Sequence, residues 1–390
     1  MKRKFSKTEW LLFLVPLLAI ALLAARDPLS TWWNRAVLSG VPLEGDTSFL
    51  AFSHDGETLI VSSSDRKSGA RQLQFVETKT QRVAFNQGGV GGGSVAWSPD
   101  DKLFVVVGSQ FYNIWDAQKR VLLWRGSPSN APNMSSYKWL TKNVLELSTS
   151  NTTQISPVGV KPIAWQTNVT IYTVDARNGV LKTLGTKVQT RGSSTRSEDP
   201  SRFSPDGRWK ISLSEYKSNR APKAKPWGTG SDGYTGQQVL LWNRKTGKLQ
   251  RAFEGDMFSE IAFVDNRTIA GVARVSMGSI STANGVEAPP KLYTCTMKID
   301  AARSLWQPLE SGEDSARFSP NGKFLITQNF GAKRLAIRDP RNWQVVGSHN
   351  AANVNMYQMT FSQDGRFLAY STEKPNRVTI LPLPAIKSTR

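Results

Sequence analysis

The residues able to do chemistry are few in this chain, and they stand far apart. The only histidines are His54 and His349, and the only cysteine is Cys295. A protein metal centre needs three or four converging ligands, and this scatter supplies no such set. A lone cysteine also forms no intrachain disulfide; within the alternating run KLYTCTMKI it reads as a small core residue. The glycine-rich stretch NQGGVGGGSVAW, Asn86 to Trp97, suggests a phosphate loop, but it lacks the Lys-Ser/Thr ending and leads into a strand. It reads as a flexible connection. No Gly-x-Ser-x-Gly nucleophile elbow occurs, and the carboxylate pairs Glu198-Asp199 and Glu313-Asp314 read as solvated loop residues. No catalytic, cofactor or metal site is therefore expected. A hydrolase or lyase built from strand residues around a central channel is kept as an alternative.

What remains is charge. The chain holds 50 Lys and Arg against 30 Asp and Glu, a formal +20, which favours polyanionic partners. The densest cationic stretch runs from Lys217 to Gln237. There Lys217, Arg220, Lys223 and Lys225 face a single acid, Asp232, and Trp227 and Tyr234 are interleaved among small residues. Cations attract phosphate or carboxylate and aromatic rings stack, so these six side chains are the candidate partner-binding residues. A solvated surface loop would have the same composition. Three acids, Glu310, Glu313 and Asp314, are expected on the same face, which argues against nucleic acid.

The N-terminus is read as a targeting segment. A cationic MKRKFSK precedes the apolar run Trp10 to Ala25, at about 1.5 Å per residue long enough for most of a bilayer core. Leu23 is a poor residue for the position before a cleavage site at Ala25, so an uncleaved anchor is expected, with a removed signal peptide as the alternative. Either way the remainder is exported, and it keeps +16 of the charge.

These residues must be held by a repeated element. AFSHDGETLIVSS, AWSPDDKLFVVVG, RFSPDGRWKISLS, ARFSPNGKFLITQ and TFSQDGRFLAYST share one phrase, and KWLTKNVLELS and AFVDNRTIAGV are blurred copies. Each has an aromatic residue, a short polar turn and an apolar run. Period-two alternation punctuated by Asp-Gly reads as strands joined by tight turns, and seven like-built sheets must stack to bury both faces. The aromatic anchors Phe52, Trp97, Trp139, Phe203, Phe263, Phe318 and Phe361 are expected to fill space between sheets.

The phrases YNIWDAQKRVLLWRG, VLLWNRKTGKLQRAFEG and LAIRDPRNWQVVGS, with the Ser-Pro-Asp-Gly turns, resemble the third strand, turn and outer strand of WD-repeat proteins. The resemblance implies an all-β, seven-bladed propeller of four-stranded antiparallel blades, here preceded by one hydrophobic N-terminal helix. The family's Gly-His opening is missing and Trp-Asp degrades to Trp-Asn or Arg-Asp, so blade rigidity is expected to rest on apolar packing. The predicted organisation is a signal anchor over 1–26, a propeller over 31–385 and a short tail over 386–390. The last copy stops after three strands, and a segment over about 33–45 is predicted to supply the closing one.

The spacing between anchors is 45 and 42, rises to 64, 60 and 55, and returns to 43. The extra residues enter only between second and third strands or between blades, two connections that share one face. The expectation is a monomeric, non-catalytic scaffold, tethered to a membrane by its N-terminal helix. It would bind a protein or cell-envelope polymer through that face, an anionic glycan, lipid headgroup or nucleic acid being the alternative.

Overall fold

The computed structural model describes residues 41–384 apart from short stretches and four longer connections, 155–164, 191–201, 218–234 and 276–290. The segment 1–40, with its predicted helix, lies outside the described residues, as does the tail from 385.

The chain forms seven antiparallel sheets in sequence order, each running from an inner first strand to an outer last one. The strand β1 (Val41–Pro42) comes first. Blade 1 holds β2 (Asp46–Phe52), β3 (Thr58–Ser64), β4 (Arg71–Glu77) and β5 (Arg82–Gly88). Blade 2 holds β6 (Ser94–Trp97), β7 (Leu103–Val107), β8 (Tyr112–Asp116) and β9 (Val121–Gly126). Blade 3 holds β10 (Met134–Thr141), β11 (Val144–Gln154), β12 (Trp165–Asp175) and β13 (Val180–Thr190). Blade 4 holds β14 (Trp209–Lys217), β15 (Thr235–Asn243) and β16 (Leu249–Gly255). Blade 5 holds β17 (Phe258–Phe263), β18 (Thr268–Val275), β19 (Lys291–Lys298) and β20 (Ser304–Pro308). Blade 6 holds β21 (Ser315–Phe318), β22 (Leu325–Asn329), β23 (Arg334–Arg338) and β24 (Val345–Asn350). Blade 7 holds β25 (Val354–Phe361), β26 (Phe367–Glu373) and β27 (Asn376–Pro382).

The seventh sheet is ordered β1-β27-β26-β25, so the chain's beginning completes its last blade. Val41 pairs with Val378 and Pro42 with Arg377, the only part of the predicted 33–45 strand among the described residues. Blade 4 shows three strands among the described residues, with the bridge Phe203 to Lys210 at the inner position; residues 191–201, where the rest of the predicted inner strand would fall, lie outside them.

The repeated phrase is a hydrogen-bonded module. In five blades a serine (Ser53, Ser98, Ser204, Ser319 or Ser362) donates its hydroxyl to the Asp or Asn two residues on, at 2.6–2.9 Å. The same oxygen accepts the N–H of the residue that begins the next run, Thr58, Leu103, Trp209, Phe324 or Phe367. The carboxylate in turn accepts the N–H two residues further, as Asp206 does from Arg208. Glycine follows at φ of 66–72° in four of the five, a conformation in which a Cβ is strained. In blade 2 Asp101 takes that position at φ 55°, and its carboxylate reaches back to accept the backbone N–H groups of His54 and Asp55 in blade 1.

Packing between sheets supplies the core. Six apolar clusters join blades 7 and 1, 1 and 2, 2 and 3, 4 and 5, 5 and 6, and 6 and 7. Leu59, Ile60 and Val61 of β3 are all fully buried, so this central strand packs on both faces. Each such side chain contributes about 1.5–3 kcal/mol. The anchors Phe52, Trp97, Phe263, Phe318 and Phe361 are buried as expected, and the indole N–H groups of Trp97 and Trp139 reach back to the carbonyls of Ala51 and Ala96. Trp115 of the Trp-Asp pair is 2% exposed and stacks on Phe104, while its Nε1 has no hydrogen-bond partner among the described residues. Apolar packing therefore holds this blade where a polar network was not expected.

Candidate functional site

Antiparallel order puts every first-to-second and third-to-outer turn on one face of the disc, and the remaining connections on the other. The short-turn face is laced from blade to blade. Asn321 donates to the Asp364 carbonyl, Arg366 to the Asp55 carbonyl, and blade 1 donates to Asp101 of blade 2. The backbone N–H of Asp206 likewise donates to Asn266 of blade 5.

The opposite face carries the length variation, as the repeat spacing predicted. Its long connections belong to consecutive blades. They are bracketed by Gln154 opposite Trp165 in blade 3, Lys217 opposite Thr235 in blade 4, and Val275 opposite Lys291 in blade 5. In blade 3 the described part of the inner strand pairs as far as Thr149, while β11 and β12 continue together to Gln154. At about 3.4 Å per residue those five residues lift the sheet roughly 17 Å above its inner edge. Blades 3 to 5 thus carry the relief on this face.

Of the six candidate side chains, Lys217 is placed by its backbone at the end of β14, on this face. Arg220, Lys223, Lys225, Trp227 and Tyr234 lie outside the described residues. Lys187 of β13 is exposed, and Arg71 lies over the Phe111 ring at 5.4 Å, joining blades 1 and 2.

Two readings of individual residues are corrected. Glu313 is not a solvated acid: it is 5% exposed and sits 2.6 Å from Arg338 Nη2, itself 4% exposed, with the Thr327 hydroxyl donating to the same oxygen. The partner is 25 residues away on β23, which no local pattern shows. The acid count weighed against a polyanion therefore falls, since Glu313 presents no charge at the surface. His349 is not in a polar loop. It lies on β24 opposite Leu335, 3% exposed and 6.1 Å from the Tyr370 ring, with neither ring nitrogen partnered among the described residues. Burial lowers its pKa to about 4.

Other reactive groups are structural in placement. His54 Nδ1 lies 2.6 Å from Asp101, on the short-turn face. Cys295 is fully buried, and burial pushes its thiol far above the ordinary range. Among the described residues no group of three or more His, Cys, Asp or Glu is positioned to hold a metal ion. No helix among them is long and apolar enough to cross a membrane, and the run Trp10–Ala25 is not one of the described segments.

No family model matches this chain. No curated protein sequence matches it either. Among solved structures it is similar to Kuenenia stuttgartiensis hydrazine synthase, at 14% identity and a TM-score of 0.49, over 89% of this chain and 98% of that one. It is also similar to the beta-propeller domain of Myceliophteria thermophila Cps50 (Swd1), at 11% identity and a TM-score of 0.44, over 88% and 98% of the two chains.

Proposed function

We propose that this chain is a non-catalytic, extracytoplasmic scaffold, tethered through Trp10–Ala25, that binds a protein or cell-envelope partner on its long-connection face. The observation that carries the reading is the placement of the long connections. They leave one face, on three consecutive blades, while the opposite face, among the described residues, has short turns tied to one another. A rigid ring with its variable segments gathered on one side is the arrangement by which a scaffold presents a binding surface. Lys217 begins the most cationic of those connections.

The basicity also favours a second reading, a module for an anionic glycan or lipid headgroup. One experiment separates the two. The chain and its Lys217/Arg220/Lys223/Lys225→Ser variant are used to capture envelope components at low and high salt. A protein partner is expected to be held at both, whereas binding to a polyanion falls steeply with salt. The variant should melt like the parent and capture less. Equal capture by the variant would remove this connection from the binding surface, and turnover of glycan or ester substrates would overturn the non-catalytic reading.

A further inference from the structure

Six of the seven joins between neighbouring blades carry an apolar cluster among the described residues; the join between blades 3 and 4 has none. Blade 3 turns Leu145, Leu147 and Val174 toward blade 2, and blade 4 turns Ile211, Val239 and Leu241 toward blade 5. Alternation then fixes what the two sheets turn toward each other. On blade 3 the rows are Lys138, Glu146, Thr173 and Lys182, and Ser136, Ser148 and Ile171, with Lys187 above. On blade 4 they are Lys210 with Trp242, Ser212 with Leu240, and Ser214 with Gln238. Apart from Ser148, at 7% exposure, these rows keep solvent. The Lys138 and Glu146 side chains retain 65% and 30% of their exposure, and Lys210, Ser212, Leu240 and Trp242 are half-buried. The equivalent central strands elsewhere are buried on both faces, as in Phe104, Val105 and Val106 of β7.

We propose that this join is a polar cleft that receives an extended, acidic segment of a partner polypeptide. The inference rests on the scaffold reading above and names its partner chemistry. Among the described side chains of the facing rows Lys138, Lys182, Lys187 and Lys210 outnumber Glu146, which sets the sign of the occupant. A glycan would need free aromatic faces and free hydroxyls. Here the Phe203 ring already carries Lys210 and Arg244, at 5.8 and 4.7 Å. Trp242 Nε1 donates to Ser212 Oγ, and Ser136 and Ser148 hydroxyls lie 2.6 Å apart, bonded to each other. Charge, with part-exposed Leu240 and Ile171 for apolar contact, is left to do the recognition.

The test is fluorescence anisotropy of the full chain with a labelled oligoglutamate and, for comparison, an oligogalacturonate of equal charge. Lys182→Ser with Lys210→Ser is expected to weaken oligoglutamate binding about tenfold without moving the melting temperature. In a second variant, Glu146→Leu, Lys210→Leu and Ser212→Leu together give this join the apolar faces of the other six. It should melt higher and lose binding. Unchanged affinity in both variants, or tighter binding of the galacturonate, would overturn the proposal. If instead only Lys217→Ser weakened binding, the cleft would be refuted while the long-connection face stood.

Discussion

Replacing Val41 by Asp tests whether a two-residue strand closes the ring. Val41 is 2% exposed and belongs to a cluster with Leu50, Phe52, Val378 and Ile380, so its side chain joins blades 7 and 1. Val41→Ala removes two methyl equivalents at about 0.8 kcal/mol each and leaves a small cavity, for a loss of about 2 kcal/mol. Val41→Asp places an unpaired carboxylate among those side chains, which costs about 3–5 kcal/mol or forces β1 off its sheet. Detachment would also expose the edge of β27. The assay is urea unfolding followed by tryptophan emission, with limited proteolysis of the native protein ahead of residue 46. The Asp variant should unfold at lower urea than the Ala variant and be cut faster. A midpoint within error of the parent in the Asp variant would refute closure by this strand.

Three other outcomes are expected. Arg338→Ala should destabilise by about 3–5 kcal/mol by leaving Glu313 buried and unpaired, and Glu313→Leu with Arg338→Leu should recover most of it, a cycle read by chemical unfolding. Because the His349 pKa is lowered from 6.5 to about 4, the native ring stays neutral where the unfolded chain takes up a proton. Stability from this group is therefore full above pH 6.5, falls by about 3 kcal/mol as pH drops toward 4, and levels off below; His349→Leu should remove that slope from the melting profile. Finally, Cys295 should resist iodoacetamide in the folded chain and react on unfolding, since its thiol is buried and held protonated.

The repeat was legible because its signal is local. Ser, Asp and Gly within five residues make a complete turn module, and the alternating run that follows is the strand it launches. The serine's double role was not apparent in the sequence, since donation to Asp206 and acceptance from Trp209 use one oxygen. What escaped the reading depends on partners far along the chain. Glu313 looked solvated beside Asp314 because Arg338 enters from another strand, and His349 looked exposed in the polar GSHN because only its pairing with Leu335 carries it under Tyr370. The cleft between blades 3 and 4 was in principle readable: Lys210, Glu146 and Ser212 fall where the first repeat places Leu59, Ile60 and Val61. The blurring of the third copy hid that register.

The lacing of the short-turn face bears on mechanics. A load applied along β1 pulls on β27 in shear, so the bonds of both residue pairs must give way together. Behind that grip the turns of blades 6, 7, 1 and 2 are strapped in series by Asn321, Arg366 and Asp101. Tension is thereby shared along half the circumference, away from blades 3 to 5, where the long connections stand.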